Sequence, residues 1–324
     1  MLIRIVKDWE YPETFFLQTP NGNSRWGDIE YTQDKVADCD YLIVLQRPPY
    51  DIKVKCPAGN AWLIMQEPPV DYFRFYNKSI KYFDKVFTYY KDISHSNFKS
   101  LQPVLPWHVL RSYDELTGIS RNDLHQKKDE VVWITSKRNS FPGQKARMLL
   151  KDHLVRKGFS FHLFGNGFQR IDDKFLGLFP NKYSIAVENY STENYWTEKL
   201  ADSFLSWCLP FYWGAPNAED YFPEKSFIRI DVNKPSQALK IMSDAIKNKE
   251  WERRLDAIEE ARNLILNKYQ FFPYISAMIK EDTQKGQQKE VKDYFIPRNR
   301  YPYRYTLINK VKYYLRRLVN LLKK

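Results

Sequence analysis

Residues 183–231 read YSIAVENYSTENYWTEKLADSFLSWCLPFYWGAPNAEDYFPEKSFIRID, and the order of elements in them decides the fold. YSIAVE is a short apolar run of the kind a buried parallel strand requires. A polar loop follows, then an amphipathic helix WTEKLADSFLSW, a second strand LPFYW ending in Gly214-Ala215-Pro216, and a third strand FIRID. Glu188, Asn189, Tyr195, Glu198 and Lys199 sit across the strand-to-helix junction. An adjacent carboxylate and ammonium at the start of a helix suit a nucleotide. The carboxylate can grip ribose hydroxyls, the ammonium can meet phosphate, and the helix N-terminus adds its own partial positive charge. Glu198 alone says little, because acids are common in a first turn and Thr197-Glu198 could be simple capping. Lys199 says more, since a cation there is disfavoured unless an anion is bound.

The same alternation extends outward from this stretch. LIRIV (2–6), YLIVL (41–45), AWLIM (61–65) and KVFTYY (85–90) are short, apolar and bounded by Pro, Asp or Gly, as buried parallel strands should be. From Ser112 to Asp129 the chain turns polar and reads as an interdomain linker. A second series then begins with the strand EVVWIT (130–135), the helix GQKARMLLKDHLVRKG (143–158) and the strand FSFHLFG (159–165). From Pro235 to about Lys268 the apolar residues Leu239, Met242, Ile246, Leu255, Ile258, Ala261 and Leu264 recur at helical spacing. Two consecutive α/β series imply two doubly wound Rossmann-like domains facing across a cleft. The expected boundaries are 1–125 for the first domain, 126–280 for the second and 281–324 for a tail.

Composition narrows the class. A chain of 324 residues, 43% hydrophobic and 28% charged, has room for two globular domains. No apolar run approaches the twenty or so residues of a membrane span, and MLIRIV enters a strand directly, so no signal peptide is expected. Cys39, Cys56 and Cys208 are isolated thiols without metal spacing, which fits a reducing compartment. The net charge of +12 is concentrated beyond Pro297, where Arg298, Arg300, Arg304, Lys310, Lys312, Arg316, Arg317, Lys323 and Lys324 face no acid at all. The body lacks a basic stripe with interleaved aromatics, so nucleic acid is not the expected partner.

Glu188-Asn189, then Tyr195-x-Thr197-Glu198-Lys199, Pro210, Gly214 and Ser226-Phe227-Ile228 together resemble the signature of family-10 glycosyltransferases, the α1,3/α1,4-fucosyltransferases. Weaker similarity runs from about Trp62 to about Asp231. The sequence departs from the family pattern at Asn194, where Asp or Gly is commoner, at Val187, where an aromatic is usual, and at Trp207-Cys208. The resemblance implies a GT-B fold, GDP-fucose as donor, no metal cofactor, and inversion at the anomeric carbon. It assigns Glu198 to the ribose hydroxyls and Lys199 and Arg147 to the diphosphate, with Asn189 and Tyr195 also on the donor. Glu188, Ser136 and Arg138 support them, Arg138 being the alternative should the Arg147 alignment slip. Glu67, at the end of AWLIM-Gln66-Glu67-Pro68-Pro69, takes the place of the family's general base; a carboxylate at the C-terminal end of a parallel strand points into the ligand crevice. The chain looks like a bacterial member that lacks the N-terminal anchor of animal relatives.

Other polar clusters carry less. Asp38-Cys39-Asp40 precedes a strand, where a metal-bound nucleotide would need it at the strand's end, and Asp172-Asp173 lies in a polar connector. The five histidines show no ligand spacing. Two rival readings stay open: the same fold acting on another nucleotide sugar, and a non-catalytic basic protein that binds membrane or nucleic acid. The acceptor is expected to be a glycan, N-acetyllactosamine-like or part of a lipid-linked surface polysaccharide. In the tail, Leu307, Ile308, Val311, Leu315, Leu318, Val319 and Leu322 alternate with basic residues and tyrosines as in a basic amphipathic helix. Such a helix suits an anionic bilayer and would hold the protein at the cytoplasmic face of a bacterial inner membrane.

Overall fold

The computed structural model describes residues 1–9, 15–69, 78–91, 96–284 and 289–299. The expected tail helix lies outside the described residues. The first domain is built on seven strands: β1 (Leu2–Lys7), β2 (Arg25–Trp26), β3 (Ile29–Thr32), β4 (Tyr41–Leu45), β6 (Ala61–Ile64), β7 (Lys85–Thr88) and β8 (Phe98–Ser100). Their order is β2-β3-β1-β4-β6-β7-β8, parallel from β3 to β8. β4 and β6 are buried along their whole length, which is why they read as unbroken apolar runs. β5 (Ile52–Pro57) lies outside this sheet and alternates buried and exposed residues, the signature of a strand with one wet face.

The chain crosses to the second domain through residues 101–112, where Trp107 and Val109 are already part of that domain's core. The polar stretch after it is more ordered than a linker. Ser112 and Glu115 form a reciprocal capping box that starts α1 (Tyr113–Gly118), and Leu116 anchors the helix in the core. The second sheet runs β10-β9-β11-β12-β13, with β9 (Lys128–Ile134), β10 (His162–Phe164), β11 (Asn181–Val187), β12 (Leu209–Trp213) and β13 (Ile228–Arg229), all parallel. One face carries α2 (Pro142–Arg156) and α5 (Pro235–Lys247), which pack through Leu150, Leu154, Ala238 and Met242. The other carries α3 (Lys174–Leu178), α4 (Glu198–Leu205) and α7 (Leu255–Leu264), with the short α6 (Glu250–Arg253) between α5 and α7.

The boundary expected at 280 is displaced by packing. The segment after a π turn at Ile265–Tyr269 becomes α8 (Phe271–Gln284), whose Phe271, Phe272, Ile275 and Ile279 bury against Ile3, Ile5, Tyr31 and Trp62 of the first domain. β14 (Val291–Ile296) then pairs antiparallel with β5 over six residues. α8 and β14 therefore complete the first domain, which takes part of what was assigned to the second domain and to the tail. Helical periodicity cannot say which of two sheets a helix covers.

Candidate active site

The C-terminal edge of the second sheet presents the polar cluster. β11 ends at Val187, and Glu188 follows it into complete burial. Its carboxylate receives the backbone N–H of Thr197 at 2.8 Å and the Thr197 hydroxyl at 2.7 Å, so it fixes the N-cap of α4. Thr197 in turn accepts from the Lys199 ammonium at 3.0 Å. That ammonium lies 3.1 Å from Glu198 Oε1 and 3.3 Å from Glu188 Oε2. Burial opposes the Lys199 charge, but the two carboxylates outweigh it and hold the ammonium well above its ordinary range. Burial likewise opposes ionisation of Glu198, and Lys199 and Lys174 overcome it, keeping that carboxylate well below the usual range. At neutral pH the entrance to α4 thus holds a fixed anion and a fixed cation side by side.

Tight backbone approach keeps this edge in place. A Cβ on Gly143 would sit 2.6 Å from the Asn189 carbonyl oxygen and 2.7 Å from that of Glu188, so only glycine lets the start of α2 lie on the end of β11. From α2, Arg147 is buried, with its Nη1 donating to Asn189 Oδ1 at 3.1 Å and its Nη2 to the Ser136 hydroxyl and carbonyl at 2.9 and 3.0 Å. Nη2 also approaches the Arg138 carbonyl at 3.4 Å, while the Nε atom is buried without a partner. Burial lowers its pKa to about 10, which leaves it charged. Arg147 therefore ties together Asn189, expected on the donor, and Ser136 and Arg138, expected to support the donor site. The Arg138 side chain itself is exposed.

Tyr195 is placed differently from a ligand contact. It is 2% exposed and its ring lies on Tyr89 of the first domain, 5.0 Å between centroids. It is a bridge between domains in this conformation. Asn194 before it has φ +64° and accepts from Asn217 and Tyr221 at 2.9 and 2.7 Å. Asp, Gly and Asn are the residues that adopt this left-handed conformation most readily, so Asn194 keeps the backbone requirement of the position it departs from.

Glu67 stands on the opposite wall, three residues beyond Ile64, the end of β6. Its position is set through the backbone: the Gln46 side chain accepts from the N–H groups of Gln66 and Glu67 at 2.7 and 2.9 Å, and the Glu67 carbonyl accepts from the Tyr89 and Tyr90 hydroxyls. Water reaches the carboxylate, yet the cleft walls strip much of its hydration and raise its pKa to about 7. Asp8 adds to the rise, and the charges next in effect are Lys199, Glu198 and Arg138 from the other domain. Glu67 thus lies within electrostatic reach of the Glu198–Lys199 pair of the other domain. Among the described residues no group of three or more His, Cys, Asp or Glu is arranged to hold a metal ion.

The family model described as Glycosyltransferase family 10 (fucosyltransferase) C-term matches residues 124–253, the segment carrying α2, β11 and α4. Residues 124–253 belong to glycosyltransferase family 10. The mouse (Mus musculus) 4-galactosyl-N-acetylglucosaminide 3-alpha-L-fucosyltransferase 9 is 31% identical over 134 residues, which is 39% of this chain and 36% of that protein. An alpha-(1,3)-fucosyltransferase of Helicobacter pylori is 37% identical over 49 residues, 15% of this chain and 10% of that protein. The chain thus spans about a third of the first of these relatives and less of the second. A crystal structure of an alpha1,3-fucosyltransferase superimposes with a TM-score of 0.54 at 15% identity, covering 90% of each chain. That likeness is one of fold, and the fold is GT-B.

Several neighbours of the candidate site residues escaped the sequence reading. Lys174 and Asp202 form a 2.8 Å ion pair beside Glu198, and Asp8 with Arg47 forms one at 2.6 Å near Glu67. Lys174 follows Asp172-Asp173, which read as a polar connector because α3 is only five residues long and has no periodicity to recognise. Gln46, at φ +65°, carried no signal at all.

Proposed function

We propose that the chain is an inverting fucosyltransferase that moves L-fucose from GDP-fucose to a glycan hydroxyl, forming an α1,3 linkage. The observation that carries this reading is the cleft itself, with a carboxylate of pKa about 7 on one wall and an ionised Glu198–Lys199 pair at a helix N-terminus on the other. Glu67 takes the proton of the acceptor hydroxyl as its oxygen attacks the anomeric carbon. A base that titrates near the working pH is the efficient one for that step. The bond from the anomeric carbon to the diphosphate breaks on the opposite face, and GDP departs with the electron pair. Lys199 and the α4 N-terminus stabilise the charge that develops on it. Glu198 holds the ribose, Arg147 keeps Asn189 and Ser136 in register, and Glu188 locks the N-cap.

The acceptor is N-acetyllactosamine-like or a lipid-linked surface glycan such as a lipopolysaccharide precursor, made in a bacterial cytoplasm. The basic tail would hold the enzyme on the anionic inner leaflet. The test is a donor panel: GDP-fucose, GDP-mannose and UDP-sugars incubated with N-acetyllactosamine and short galactosides, with products identified by mass spectrometry and NMR. A deoxyhexose added from GDP-fucose with an α1,3 linkage supports the reading. Transfer from a UDP-sugar alone, or thermal stability indifferent to GDP, defeats it.

A further inference from the structure

Beside the Glu198–Lys199 pair lies a second ion pair, whose carboxylate is the more deeply buried. Asp202, one turn along α4, is 1% exposed. Its Oδ2 accepts from Lys174 Nζ at 2.8 Å, and its Oδ1 accepts the backbone N–H of His108 at 2.7 Å. Lys174 reaches onward to Glu198 Oε1 at 3.9 Å, on which Lys199 also converges at 3.1 Å. Asp202 has no other role in the cluster, and burying a carboxylate is costly unless every oxygen is matched. Both its oxygens are matched here, one by the chain segment that crosses between the domains and one by a lysine aimed at the nucleotide cluster.

We propose that Lys174 is a positioning residue for donor recognition, which orients Glu198 toward the ribose hydroxyls of a guanosine diphosphate and is itself held by Asp202 on the interdomain crossing. This rests on the reading of Glu198 as the ribose ligand. Lys199 alone would pull the Glu198 carboxylate toward the phosphate side. Lys174, approaching the same Oε1 atom, opposes that pull and leaves Oε2 for the sugar. Because Asp202 binds the His108 amide, the grip on the nucleotide is built on the same atoms that set where the second domain begins.

The experiment compares binding of GDP and of its 2′-deoxy analogue to the full chain by calorimetry, with thermal melting as a check on folding. The native protein should prefer GDP, since the analogue leaves an acceptor of Glu198 unpaired. In Lys174→Met and Lys174→Gln, GDP binding should weaken about 10-fold, as for loss of one charge-assisted contact, and the preference for GDP should collapse toward unity. The analogue should bind nearly as before, the KM for GDP-fucose should rise, and kcat should change little. Lys174→Arg should restore the preference. Equal weakening of both nucleotides, or a native preference in the folded Met and Gln variants, would overturn the proposal. A native protein that binds GDP but does not distinguish its deoxy analogue would refute the ribose reading first, and the role of Lys174 would fall with it.

Discussion

Lys199 shows what single residues contribute to the account. Its ammonium is already matched to Glu188 and Glu198, so the cluster is charged before any ligand arrives. Lys199→Ala should reduce both GDP affinity and turnover by 10²-fold or more, the loss typical of removing one electrostatic stabiliser. Calorimetry and steady-state kinetics would check this, and near-native values in a folded variant would remove the donor assignment. Glu67 makes a pH prediction whose sign follows from its raised pKa. The carboxylate is a base only when ionised, so kcat/KM should fall as pH drops through about 7 and level off above it. In Asp8→Asn that limb should move to lower pH, because a negative charge that disfavours ionisation is gone. Lys199 stood out in the sequence because a cation is unusual at a helix start, whereas Glu198, an acid in a first turn, drew notice only beside it. Tyr195 was legible as a residue but not as an interdomain bridge, since its partner Tyr89 is more than a hundred positions away.

At the scale of elements, the site depends on α2 lying against the end of β11. Gly143→Ala tests this without touching a charged group. Its Cβ would meet the backbone of Asn189 and Glu188 at 2.6–2.7 Å, and backbone cannot move aside as a flexible side chain can. The variant should lose about 1–3 kcal/mol of stability, as overpacking does, and several-fold in GDP affinity because Asn189 and Arg147 shift together. Denaturant unfolding and nucleotide titration would show both. An unchanged melting curve with native GDP binding would mean that the α2–β11 contact is looser than described. Strands buried on both faces, such as β4 and β6, were readable from unbroken apolar runs. Elements without such a run were not: α3 is too short for a period, and β5 had nothing in its own stretch to name β14 as its partner. The polar run taken as a linker hid α1 because one buried residue, Leu116, suffices to anchor so short a helix.

For the whole molecule, two sheets share a cleft and the chain passes between them twice, at 101–112 and again before α8. The return of α8 and β14 to the first domain closes the two-domain unit on both sides. The described chain stays attached up to its end: the Arg298 N–H donates to Asp51 at 2.6 Å and the Asn299 N–H to the Pro48 carbonyl at 3.0 Å. A truncation that tests the tail should therefore begin at Arg300 and leave these contacts intact. The truncated protein should stop sedimenting with anionic liposomes, since each basic residue near such a surface contributes on the order of 1 kcal/mol of attraction. Transfer to a soluble acceptor should stay largely intact. A truncated protein that unfolds or loses GDP binding would make the tail part of the body.

The central claim is that one cleft joins a nucleotide site on the second domain to a catalytic base on the first. Glu67→Gln separates the two halves with the smallest change of shape. The decisive measurement is GDP-fucose transfer to N-acetyllactosamine, followed by mass spectrometry alongside GDP calorimetry on the same protein preparations. The account predicts product from the native chain, no detectable product from Glu67→Gln, and equal GDP affinity in both. Product formed by Glu67→Gln at the native rate, or GDP binding lost together with activity, would contradict it.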